Sequence, residues 1–249
     1  VSLSSPDPAL ALLPGRALLS AGGRLLERAA GEGWEGALEA LDGLLAEARP
    51  RGGARISLSH HFARVLLLSP PPVRLSAAEM DGWVAEQLNG AYGAEAAAWR
   101  PVWQDVPPGR AVPVALMDGA RYDQLRERIK AHGLSLGQAM PWFVVVWNRH
   151  RRRIGHTHGW LALVEPERLV LARIEGGRPV SLRTAQVGPA PADDLAALVT
   201  RESLHHDAAA GTDIWLAAAG IALPGEMSFA GRRVHLLSPA GAHWNALLP

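Results

Sequence analysis

Three short apolar runs stand close together in the second half of the chain: Trp160 to Val164, Leu169 to Glu175 and Pro179 to Val187. Glu165-Pro166-Glu167-Arg168 and Gly176-Gly177-Arg178 lie between them. Runs of this length bounded by Pro and Gly predict strands joined by tight turns, because Pro presets φ and Gly accepts the positive φ a turn demands. A β-meander is therefore expected. After it come a helix from about Asp193 to His206, an apolar strand from Ile214 to Ala219, a Gly/Pro turn and a last strand from Val234 to Leu237. Strands in succession, then strands alternating with helices, predict an α/β chain.

The first half has the same flavour. Ala9 to Leu13 and Ala17 to Ser20 flank Pro14-Gly15-Arg16 and predict a hairpin. Leu38, Leu41, Leu44 and Leu45 fall at helical spacing between Glu35 and Ala48, ahead of Arg49-Pro50. Ile56 to Leu68 is β-rich and breaks near His60-His61. Ser76 and Glu79 form a capping-box signature for a helix whose stripe is Met80, Trp83, Val84 and Leu88, ending at Gly93. Val112 to Met117 predicts a strand, and Asp118 caps a helix with Tyr122, Leu125 and Ile129 facing inward and Gly133 at its end. A strand at Leu134 to Leu136 leads to Pro141, placed to open a helix running to about Arg149.

Beyond Asn148 the composition changes to the basic run Arg149-His150-Arg151-Arg152-Arg153, followed by Gly155 and Gly159. A boundary there divides the 249 residues into 1–153 and 154–249. With 25 basic and 24 acidic residues the chain has no overall field to attract nucleic acid, and with no cysteine it has no disulfide, thiolate nucleophile or Cys-ligated metal. The uncharged windows 133–148 and 234–249 both contain proline and fall short of the roughly 18 to 20 apolar residues of a membrane span. Asp7 interrupts the N-terminal apolar stretch, so no secretory signal is expected and the chain reads as cytoplasmic, or as the cytoplasmic part of something longer.

Catalytic signatures are weak. No Walker glycine–lysine pattern occurs, and Gly22-Gly23 is too short to count. Ser59 beside His60 and Ser203 near His206 read as ordinary polar positions. His156 and His158 point the same way in a strand and could share a metal, which opens a metal-dependent hydrolase as one reading. The flanking arginines and the lack of Asp or Glu between Asn148 and Gly159 oppose it. No catalytic, cofactor or metal residue is assigned. Arg151, Arg152 and Arg153 read either as a solvated helix end or as a contact with anionic lipid or an acidic partner. Trp99 and Trp103, near Pro101, Pro107 and Pro108, read either as interface anchors or as edge packing over a sheet.

The segment from Trp160 to Gly177 resembles the strand, loop, strand and Gly turn that opens the second domain of PilM and its relatives. Ile214-Trp-Leu-Ala-Ala-Ala-Gly-Ile-Ala-Leu-Pro-Gly225 resembles their strand plus adenosine loop, and the order of elements from Ile56 to Arg149 is similar to the cytoplasmic part of GspL. The resemblance is to the actin-like, ribonuclease-H-like assembly proteins of type IV pili and type II secretion. It implies two actin-like halves, each a mixed β-sheet flanked by helices, with a subdomain inserted at about 69–118. It also implies a cytoplasmic scaffold at the inner membrane. Its partners would be a PilN- or GspM-like inner-membrane protein tail and an assembly ATPase, with homodimerisation and peripheral membrane association open to it. An actin-like nucleotidase needs a metal-binding Asp and small residues in its phosphate loops. Here those places fall on Leu163 and Glu165, Pro14-Gly15-Arg16 replaces the first loop, and Ala217-Ala218-Ala219-Gly220 holds one glycine. The expectation is a fold without nucleotide hydrolysis. An active actin-like ATPase or sugar-kinase relative is the alternative.

Overall fold

A computed structural model describes residues 7–154, 158–205, 213–221, 232–237 and 248–249. The chain divides into two compact units, residues 1–141 with Leu248–Pro249, and residues 142–247.

In unit 1 the order is β1 (Ala9–Leu13), β2 (Arg16–Ala21), β3 (Arg24–Ala29), α1 (Gly33–Ala48) and β4 (Gly53–Leu58). Then come β5 (Ala63–Leu68), α2 (Ala77–Tyr92), a 3-10 segment (Gly93–Ala98), β6 (Trp99–Trp103), β7 (Val112–Asp118), α3 (Gly119–Ala131) and β8 (Ser135–Pro141). The main sheet runs β3-β2-β1-β4-β8. β1, β2 and β3 are antiparallel, whereas β1–β4 and β4–β8 are parallel, as crossover connections require. One face of this sheet meets the leucine stripe of α1: Leu38, Leu41, Leu44 and Leu45 share a core with Leu10, Leu12, Leu19 and Ile56. A separate antiparallel sheet, β5-β7-β6, is inserted between β4 and α3. α2 covers it, with Met80, Val84 and Leu88 clustered with Val112, Val114 and Leu116. The capping box at Ser76 and Glu79 forms as its residues predict.

Unit 2 comprises α4 (Trp142–Ile154), β9 (Gly159–Glu165), β10 (Arg168–Glu175), β11 (Arg178–Gln186), α5 (Pro191–His205), β12 (Asp213–Ala218) and β13 (Arg233–Leu236). Its sheet runs β11-β10-β9-β12-β13. The strand order and the parallel or antiparallel sense repeat those of unit 1. The core joins Trp160, Ala162 and Val164 of β9 to Leu171, Ile214 and Leu216 and to Leu195 and Val199 of α5.

Several elements differ from their expected extent for physical reasons. β3 escapes a hydrophobic reading because nearly all of it is exposed, and β6 because two of its five residues face solvent around a proline. Pro141 ends β8 instead of opening α4; β8 lies at the sheet edge, where a missing N–H costs no ladder bond. α4 continues past Arg149 because Ile154 is fully buried and anchors its last turn.

Candidate functional site

The resemblance places nucleotide contacts at the first hairpin of each unit, and both hairpins are built the same way. Leu13 pairs with Arg16 across Pro14-Gly15, and Glu165 pairs with Arg168 across Pro166-Glu167. Each turn is two residues long, a proline followed by a residue at positive φ: Gly15 at 73° and Glu167 at 61°. That is the φ pattern of a type II turn. Each proline removes a backbone N–H from the place where phosphate oxygens would need donors. In unit 1 the Gly15 carbonyl already accepts from the Ala30 N–H at 2.9 Å. In unit 2 the turn is flanked by Glu165, fully buried, and it carries Glu167, so two acidic side chains stand where the resemblance places small phosphate-loop residues. At the end of β12, the Ala219 N–H donates to the Val164 carbonyl at 2.9 Å, tying the place of the adenosine loop to β9. Leu223-Pro224-Gly225 lies outside the described residues.

The second hairpins match as well. Gly22-Gly23 (φ 55° and 75°) joins β2 to β3, and Gly176-Gly177 (φ 52° and 78°) joins β10 to β11. Two successive positive φ values are what a type I′ hairpin turn requires, so Gly22-Gly23 is a structural turn.

The tryptophans separate into two roles. Trp99 and Trp103 lie on one face of β6, both half-buried against the inserted core. The Trp103 indole N–H donates to Asp81 Oδ1 at 2.7 Å, fixing β6 to α2. Trp99 stacks on Tyr92 at 5.9 Å, and the Arg64 guanidinium sits 4.5 Å from the Trp99 ring and 5.6 Å from that of Tyr92. Arg64 and Trp99 of this cation–π platform form one wall of a cavity of about 320 Å³ also lined by His61, Glu95, Asp118 and Arg121. Asp118 accepts from the Arg121 N–H at 2.9 Å as the cap of α3, so it is already engaged. Arg64, Tyr92 and Arg121 were not legible as a group, because they come from three separated elements. Only the tryptophan signalled the place.

Arg151, Arg152 and Arg153 are exposed on the last turn of α4 and form no ion pair among the described residues. They belong to unit 2, whereas Trp99 and Trp103 belong to unit 1. Burial first, then repulsion by Arg149 and Arg153, holds His150 below its usual value. His156 lies outside the described residues, His158 is exposed, and no group of three metal-ligating side chains occurs among the described residues. His60 is buried and His61 lines the Trp99 cavity, so that pair diverges. Ser59 Oγ accepts from the His61 N–H at 3.1 Å, and Ser203 Oγ donates to the Val199 carbonyl at 2.6 Å, both ordinary local bonds. No helix among the described residues is long and apolar enough to cross a membrane.

No protein-family model matches the sequence, and no curated protein matches it. Solved structures do. A chain of the PilM–PilN type IV pilus biogenesis complex superposes with a TM-score of 0.73 at 15% identity, covering 97% of this chain and 89% of that one. The cytoplasmic domain of EpsL, an inner-membrane component of the Vibrio cholerae type II secretion system, gives 0.60 at 13% identity, with 96% and 92% covered. A Bacteroides thetaiotaomicron protein with an actin-like ATPase fold gives 0.64 at 12% identity, with 97% and 94% covered. At such identities the likeness concerns the backbone. Together with the repeated strand order, it gives this chain a duplicated actin-like fold, as the resemblance implied.

Proposed function

We propose that this chain is a non-catalytic scaffold of a type IV pilus or type II secretion-like assembly platform. It works at the cytoplasmic face of the inner membrane and holds the short tail of a PilN- or GspM-like inner-membrane protein. The observation that carries the reading is the superposition of nearly the whole chain, 97% of it, on a chain from the PilM–PilN complex. The absence of catalysis is supported by the proline-headed turns at Pro14 and Pro166 and by the carboxylates of Glu165 and Glu167 at the second of them. An assembly ATPase and a second copy of the chain are further partners of the same proposal.

The Trp99 cavity is the docking place the proposal favours. An aromatic pair capped by a guanidinium offers apolar area and fixed charge together, the chemistry of an interface anchor. The test is a calorimetric titration with the cytoplasmic tail peptide of a PilN-like inner-membrane protein from the same genome. Binding to wild type, weakened about tenfold or more by Trp99→Ala, is expected, with Arg151→Glu neutral. A tail that does not bind overturns the proposal, and a tail that binds equally to Trp99→Ala overturns the docking place.

A further inference from the structure

We infer that unit 1 carries a second docking site, at the tip of the β2–β3 hairpin, for an extended acidic peptide segment of a partner protein. A cavity of about 390 Å³ lies there, with Pro8, Ala21, Leu26, Ala48 and Pro50 as apolar lining and Arg24, Arg49 and Arg51 as its charged residues. Among the described residues no carboxylate lines it, and the neighbouring Asp7 is engaged, accepting from the Gly53 N–H at 3.2 Å. None of the three arginines makes an ion pair or side-chain hydrogen bond among the described residues. That sets Arg24 apart from its neighbours on the hairpin. Arg16 is paired with Glu27, and Arg28 reaches Glu47 at 3.1 Å, so the other charges of β3 are matched within the unit. The rim is a local excess of positive charge over an apolar floor, and the complement is a carboxylate beside an apolar side chain.

β3 settles the form of that ligand as a strand. It is the outermost strand of its sheet, every residue but Leu26 is exposed, and Leu25 keeps 45% of its surface. Across the two-residue turn Gly22-Gly23, Ala21 and Arg24 are the hydrogen-bonded pair, so pairing alternates outward from there. Leu25, Glu27 and Ala29 therefore turn their N–H and C=O groups away from β2, toward the open edge of the sheet. An extended peptide laid along this edge gains main-chain hydrogen bonds, and every second side chain points to the face where Arg24 and Leu26 meet the cavity. A lipid headgroup would satisfy the arginines but would leave the strand edge unused.

The probe is a rhodamine-labelled peptide of alternating Leu and Glu, six residues long, with the Leu/Lys peptide as its control, titrated by fluorescence anisotropy at low salt. The expected result is binding of the Glu peptide alone, weakened about tenfold by a double Arg49→Glu, Arg51→Glu variant. Glu27→Pro removes one outward N–H without touching the β2 ladder and is expected to weaken binding severalfold. Glu27→Gln keeps that N–H and leaves binding unchanged. Circular dichroism confirms that each variant is folded. The inference is overturned if the Glu peptide does not bind, if the arginine variant binds it as wild type does, or if Glu27→Pro has no effect. It is also overturned if phosphatidylglycerol vesicles show the arginine dependence and the peptide does not.

Discussion

The two units share a strand order and their hairpin turns, yet they differ at two places that decide what each can do. Unit 1 holds an inserted sheet, β5-β7-β6, between β4 and α3, and with it the Trp99 cavity. The distinctive features of unit 2 are charges: Glu165, Glu167 and the arginines of α4. At the first hairpin, Pro14-Gly15 and Pro166-Glu167 occupy equivalent positions, preceded by Leu13 and Glu165, both buried. The first turn therefore keeps its proline and its backbone in both units, while the residues on either side of the proline differ, Leu13 against Glu165 and Gly15 against Glu167. A duplicated fold can keep its architecture through turn geometry alone and lose the small residues that phosphate binding demands.

The largest expected effects test whether the two cores are equivalent. Trp160 is buried in unit 2 and Leu41 in unit 1, so Trp160→Ala is expected to cost about 3–5 kcal/mol and Leu41→Ala about 2–5 kcal/mol in denaturant melts. A wild-type midpoint for either would break the parallel. Next comes Gly159, where an added Cβ would run into the Asp213 carbonyl oxygen and the Trp215 ring. Gly159→Ala should lose about 1–3 kcal/mol, read by the same melts.

The turns give a reciprocal pair. Glu167 sits at a φ of 61°, where a side chain is strained and glycine is not, so Glu167→Gly should stabilise by about 1 kcal/mol and Gly15→Glu should destabilise by a similar amount. Opposite signs sharpen the comparison, and equal signs would mean the two turns are not equivalent. In the inserted subdomain, Ser76→Ala removes the cap of α2 and should cost about 1 kcal/mol. The smallest effect is electrostatic. The folded state holds His150 below its ordinary 6.5, so the unfolded chain takes up the proton first and stability falls as pH drops through about 6.5. His150→Ala should flatten that limb of a stability–pH curve, and an unchanged slope would contradict the assignment.

Much of this was legible in the sequence because turn chemistry and apolar spacing are local. The meander from Trp160 to Val187, the capping box at Ser76 and the stripe of α1 each depend on neighbours within a few residues. β3 and β6 were not legible, since an edge strand with one half-wet face lacks the alternation that marks a buried one. The matched turns at Pro14 and Pro166 were both visible as turns. Their equivalence appeared only with the sheet order, because Leu13 and Glu165 share no chemistry. For the candidate sites, Trp99 stood out by residue type, but the Arg64 and Tyr92 that stack with it are brought there by tertiary structure. A near-neutral total charge likewise hides the local excess formed by Arg24, Arg49 and Arg51.

The central claim is a duplicated actin-like fold that does not work as a nucleotidase, and calorimetric titration of the purified chain with ATP and magnesium tests it most directly. The account predicts heats no larger than those of dilution. Saturable binding in the micromolar range would contradict it and would return the hairpins at Pro14 and Pro166 to service as phosphate loops.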